Sequence, residues 1–209
     1  LTIALLIGML VPVQTAANAR MRISVGSVWV VTFISFMVSS LLLALISAMM
    51  RMPLLPSAAQ IADTPWWGWT GGIIALCTIT ITICLFRALG QLQTTILPLL
   101  GQLLFSLVID HFGLFGSVRI PFSAMRMLAM LLLIAGVLLV VVIPNLRKRK
   151  TSQTISRHVL LWQLSAIIAG CLMASIGAIY GRLGLCLGSA VQASTMSFFI
   201  ATIIIAAIC

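Results

Sequence analysis

The chain is 209 residues long, 62% hydrophobic and 7% charged, with a mean hydropathy of +1.27. A soluble domain carries about a quarter charged residues, so a chain this apolar cannot cover itself with polar groups and needs lipid as its solvent. Twelve bases against two acids give a net charge of +10, but the bases sit between apolar runs, where they set membrane orientation and imply no nucleic-acid partner.

About 20 apolar residues carry a helix across the hydrocarbon core, and the charges divide the chain at that spacing. Leu1 to Ala19 is an uncharged first run, closed by Arg20 and Arg22. Ile23 to Met50 follows, up to Arg51. The segment RMPLLPSAAQIADTP, with its three prolines and Asp63, reads as a loop. Pro65 to Phe86 is the third run, ended by Arg87, and Ala88 to Ile109 the fourth, ended by Asp110. After the turn DHFGLFGSVRIP, Met127 to Leu146 is the fifth. The basic cluster RKRKTSQTISR comes next, then His158 to Gly181 and Leu183 to Cys209. The ten-residue alternation of barrel strands is absent, and backbone groups in lipid must be satisfied within each segment. The reading is an all-α, polytopic transmembrane helix bundle with about seven helices. The chain opens and closes inside apolar runs, which reads as a fragment of a longer protein.

Loops on one side of the membrane hold Arg20, Arg22, Arg87, Arg147, Lys148, Arg149, Lys150 and Arg157. The other side holds Arg51, Arg119, Arg126 and Arg182. The positive-inside rule puts the first group in the cytoplasm and the N-terminus outside. Trp66, Trp67 and Trp69 would anchor the third helix at its outer interface, and Trp29 and Trp162 fit the same aromatic belt.

Shifting the chain by 162 residues lays its start on its end without a gap. Gly26-Ser27 falls on Gly188-Ser189, Arg20 on Arg182, and Ser35-Phe36 on Ser197-Phe198. Ala4, Gly8 and Ala16 fall on Ala166, Gly170 and Ala178, a stripe of small residues that lets membrane helices approach closely. The first and sixth helices are five apart, an odd number, so the copies would insert in opposite directions. Such five-helix inverted repeats are the arrangement of many secondary transporters. The corresponding division is a first five-helix repeat at 1–146, a basic cytoplasmic linker at 147–157, and the first two helices of a second, inverted repeat at 158–209.

No G-x-S-x-G, Walker A loop, H-E-x-x-H or paired intramembrane carboxylate is present, so the chain does not read as an enzyme. The five cysteines form no C-x-x-C pair, the two histidines stand far apart, and neither a metal nor a cofactor is implied. Asp110 and His111 together are either a proton-sensitive pair or an interfacial helix terminus, with Asp110 capping the turn before Gly113. Gln14 and Asn18 share one face of the first helix; with Gln91 and Gln102 they either line a polar path or bond across helix contacts. Arg20 and Arg182 read as interfacial anchors more readily than as an anion attractor. Pro12 and Pro98 are candidate kinks, and Gly8, Gly68, Gly72 and Gly170 are candidate close-packing positions.

The segments PVQTAANAR, VGS, ISF, PWWGWTGG and GQLLFSLVIDHFGLFG resemble the YdcZ-type family of the drug/metabolite transporter superfamily. The resemblance covers nearly all of 1–146, and 160–209 resembles the start of a second copy. It implies a fused form of ten helices, of which about seven are present. It also implies a multi-pass protein of the bacterial inner membrane that moves a small solute. Pairing would be as a homodimer or between antiparallel halves, with the bilayer as the other partner. Related small multidrug resistance proteins use a buried glutamate in helix one. This chain has none there, and Gln14 cannot lose a proton, which sets it apart from their proton-coupled export of cations. An inverted-repeat ion channel and a non-transporting scaffold subunit are the alternatives.

Overall fold

The computed structural model describes residues 2–120, 123–125, 127–132, 134–136, 139 and 157–209, without the side chains of 2–9, 11, 157 and 158. These residues are helical throughout their ordered elements, and none is in a strand. The first helix, α1, spans Thr2–Val25 and α2 spans Val28–Met49. A short helix, α3 (Ala58–Asp63), sits in the following loop. It is held by a capping box in which Ser57 Oγ accepts from the Gln60 amide while Gln60 Oε1 accepts from the Ser57 amide. A 3-10 turn, Trp66–Thr70, carries the tryptophan cluster into α4, Gly71–Phe112. The last two helices are α5, Arg157–Leu187, and α6, Ala190–Ile208. The expected fifth span and basic linker lie largely outside the described residues, although helix recurs at 127–132 and 134–136.

A straight α4 of 42 residues would be about 63 Å long, twice a bilayer core of about 30 Å. It is not straight: Gly90 has φ 77° and ψ 173°, a region open in practice only to glycine. The contacts with α5 give the directions on either side. Before Gly90, Gly71 lies against Ile179 and Tyr180, and Leu85 clusters with Ala166 and Ala169. After it, Gln93 meets Gln163, Gly101 meets Cys171, and Gly116 meets Arg182. The first arm therefore runs antiparallel to α5 and the second parallel. The third and fourth runs form a helical hairpin turned at Gly90, and the non-helical residue within α4 is Gly90, not Pro98.

The helix ends differ from the charge-based boundaries. The first helix passes through Arg20 and Arg22 to Val25, and α5 passes through Arg182 to Leu187. Arginine is a good helix former and ends nothing by itself. Glycines close these helices: Gly26 at φ 78° and Gly188 at φ 76°. The two turns are 162 residues apart, and so are the starts of α2 and α6 at Val28 and Ala190.

Helices α2 and α6 pack antiparallel. Ser40 Oγ and Thr202 Oγ1 are 2.8 Å apart, Ser47 Oγ and Thr195 Oγ1 3.2 Å, and the Phe36 and Phe198 rings 5.3 Å. Phe36 with Phe198 and Ser40 with Thr202 are pairs of residues separated by that same 162. Buried positions along α2, α4 and α6 include Thr32, Ser40, Ser47, Thr78, Thr94, Thr195 and Ser197, while Leu41, Leu42, Leu45, Leu92 and Leu99 are exposed. Hydroxyls inside and leucines outside suit a bundle whose solvent is lipid. Most of those threonines bond the carbonyl four residues back, as Thr78 does to Ile74 and Thr195 to Val191, so burial leaves them satisfied. Four segments of the described chain are long and apolar enough to cross a membrane, and the one at 66–112 reverses within itself.

Candidate functional site

Among the described residues, two cavities lie along the hairpin. One, of about 280 Å³, opens between the second arm of α4 and α5 and is lined by Gln102, Ser106, Asp110, Ser117 and Met173 among others. Gln102 and Asp110 are eight residues apart on one helix, two turns and a little more, so they share a face. Gly113, at φ 66°, closes α4 just beyond Asp110, whose carbonyl accepts from the Ile120 amide at 2.9 Å. His111 sits beside Asp110 with its ring packed edge-on to Phe112 at 5.0 Å. This cavity has a carboxylate, a primary amide and two hydroxyls in an otherwise apolar wall, enough to orient a small polar solute.

The second cavity, of about 490 Å³, lies at the other end of the hairpin. It is lined by Ala19, Arg22, Ile23 and Gly26 of the first helix and its turn, and by Ile83, Phe86 and Arg87 of α4. Arg22 Nη1 donates to the Ile83 carbonyl at 3.3 Å.

The other expected site residues lie apart from the carboxylate cavity. Gln14 is exposed on α1, and Gln91 is exposed just past the Gly90 turn. Asn18 is buried, and its Oδ1 accepts from Ser35 Oγ at 3.0 Å, tying α1 to α2. Among the packing glycines, Gly8 lies within α1, but its surroundings fall outside the described residues. A Cβ on Gly68 would meet Thr64, one on Gly72 the Ser197 carbonyl, and one on Gly170 the Pro98 carbonyl. Gly101 makes the same kind of approach to Ile167.

Sequence reasoning passed over a second juxtaposition of polar side chains. Tyr180 and Ser197 are the counterparts of Asn18 and Ser35 at the 162-residue shift. Tyr180 faces Ser197 across α5 and α6, although neither hydroxyl reaches a hydrogen bond of good geometry. Asn18 and Tyr180 each lie eight residues before their turn glycine, about 12 Å along the helix. The usable signal was position: the counterpart of Asn18 is polar although it is not an amide. The Gln93–Gln163 contact at 3.5 Å, with Gln163 buried, was also missed. Among the described residues no three His, Cys, Asp or Glu side chains group in a way that would hold a metal ion.

A family model described as "Putative inner membrane exporter, YdcZ" matches residues 1–139. The chain belongs to the YdcZ family. No curated protein and no solved structure matches it. YdcZ membership and the apolar helices make this a multi-pass inner-membrane protein of transporter type. The YdcZ match takes in α1 to α4, the whole lining of the arginine cavity and the α4 side of the carboxylate cavity, while α5 and α6 lie beyond it.

Proposed function

We propose that the chain moves a small solute across the inner membrane as a secondary transporter working by alternating access. Residues 1–146 would form one five-helix unit, 147–157 a cytoplasmic linker, and 158–209 the opening helices of an inverted second unit. The observation that carries this reading is the α2–α6 contact. Phe36 meets Phe198 and Ser40 meets Thr202, each residue touching its own counterpart on an antiparallel helix. Such self-contact arises where a two-fold axis in the membrane plane passes between two copies, the symmetry that lets a carrier exchange inward- and outward-open forms. The cavity at Gln102 and Asp110 supplies polar groups for a passing solute. The test is reconstitution of the full-length protein into liposomes and a flux screen across sugars, amino acids, organic acids and organic cations. Saturable uptake of one class, weakened by Gln102→Ala and Asp110→Asn, is the expected outcome. Unitary currents in planar bilayers would replace the carrier by a channel, and a screen without saturable flux or current would leave a scaffold.

A further inference from the structure

The cavity between the end of α1 and the Gly90 turn contains two guanidinium groups and no carboxylate: Arg22 and Arg87 face into a space otherwise walled by Ala19, Ile23, Gly26, Ile83 and Phe86. The chain has only two acids, Asp63 and Asp110. Asp63 precedes the first arm of α4 and Asp110 ends the second. Each is therefore separated from the turn by a full arm, about 27 Å of helix. Over that distance neither carboxylate reaches the cavity to pair with Arg22 or Arg87.

Arg22 is not merely an interfacial anchor. A snorkelling arginine extends its head toward water. Here the guanidinium is turned onto the Ile83 carbonyl, half-buried, with one of its five N–H groups engaged by that bond. The bond fixes the head and leaves other donors for the cavity. Helix dipoles do not settle the sign of the potential. The C-termini of α1 and of the first arm meet the N-termini of α2 and of the second arm at this end, and their partial charges offset. The arginines decide it, and low-dielectric walls of alanine, isoleucine and phenylalanine concentrate their field. The volume lies within the range of small-ligand pockets, about 300–1,000 Å³.

We propose that this cavity is an anion site, in which a phosphate or carboxylate group is held between the guanidinium groups of Arg22 and Arg87. Planar N–H forks match the oxygen pairs of both groups. The anion is either a free solute or the phosphate of an anionic lipid headgroup; the chemistry of recognition is shared. The site stands whether or not the chain transports.

The experiment uses the full chain in nanodiscs of phosphatidylcholine, titrated with inorganic phosphate or succinate at constant ionic strength and followed by calorimetry. A parallel arm uses nanodiscs containing phosphatidylglycerol, with native mass spectrometry of retained lipid. The expected result is saturable binding of one of the two ions, or selective retention of phosphatidylglycerol that displaces them. Arg87→Gln should weaken either by about tenfold or more, as for loss of a charge-assisted hydrogen bond. Arg87 is exposed, so this variant retains the fold, and Arg22→Lys keeps the charge while removing the fork. Arg51→Gln, at the opposite end, should change nothing. Ion binding in phosphatidylcholine marks a solute site, and phosphatidylglycerol retention marks a lipid site. Absence of both in the wild-type chain, or binding unchanged in Arg22→Gln/Arg87→Gln, overturns the proposal.

Discussion

At Gly170 the absence of a side chain has a measurable meaning. A Cβ there would press on the Pro98 carbonyl and the Gln102 amide, backbone atoms of a neighbouring helix that cannot rotate away. Gly170→Ala should lower the stability of the bundle by about 1–3 kcal/mol, the usual cost of overpacking. Reversible unfolding in mixed detergent micelles reads this loss. Gly177 lies on the same helix, and nothing stands within 4 Å of the Cβ it would gain. Gly177→Ala should leave stability unchanged or raise it by up to about 1 kcal/mol, the helix propensity that alanine adds. A loss at Gly177 equal to that at Gly170 would mean that the Pro98 contact is not the cause. Residue-scale detail was the part least legible in the sequence. Asn18 stood out as an amide in a span, but its partner, Ser35, is on another helix and no local spacing reveals it. Arg22 and Arg87 read as orientation signals, because a sequence does not distinguish an arginine that extends outward from one turned onto a carbonyl.

Among the elements, α4 is the one on which the architecture turns. Charge spacing divided it correctly into two spans, yet placed the division at Arg87, whereas the reversal comes at Gly90. Length and hydropathy specify how many times a chain crosses, while the turning point depends on which residue tolerates φ 77° with ψ 173°. The same physics accounts for α1 and α5 running past their arginines to Gly26 and Gly188. Gly90→Ala should therefore cost about 1–3 kcal/mol, the price of an L-residue in this region. It adds no steric contact, since nothing lies within 4 Å of a Cβ there. Thermal unfolding of the purified variant tests this, and an unchanged midpoint would mean that the hairpin turns by another backbone route.

Across the whole molecule, the turns at Gly26 and Gly188 should open on opposite faces of the bilayer. Gln60 Nε2, in the loop before the first arm, donates to the Leu187 carbonyl at 2.9 Å, and Ser189 Oγ approaches Met52 Sδ at 3.3 Å. These contacts join the Gly188 turn to the 51–65 loop, at the other end of α2 from Gly26. In a cysteine-free background, Ser27→Cys should be protected from a membrane-impermeant thiol reagent added to intact cells, and Ser189→Cys labelled. Labelling of both, or neither, would refute the opposed insertion of the two helix pairs. The apolar spans at 28–49, 66–112, 159–187 and 190–208 and the 162-residue shift were legible because they are written in composition and spacing. How α2 and α6 touch was not, since their antiparallel contact is a property of packing.

That contact limits what amino acids its centre can hold. The paired positions are separate residues of one chain, so a change at one leaves the other as it was. A lysine at 36 would face the ring of Phe198, and an apolar side chain at 40 would leave the Thr202 hydroxyl without its partner. Aromatic rings tolerate each other in tilted pairs, and hydroxyls both donate and accept. Phe36 against Phe198, and Ser40 against Thr202, belong to those two self-tolerant classes. The crossing point thus screens substitutions by a reflexive rule, under which a change on one helix is judged against the residue it used to be.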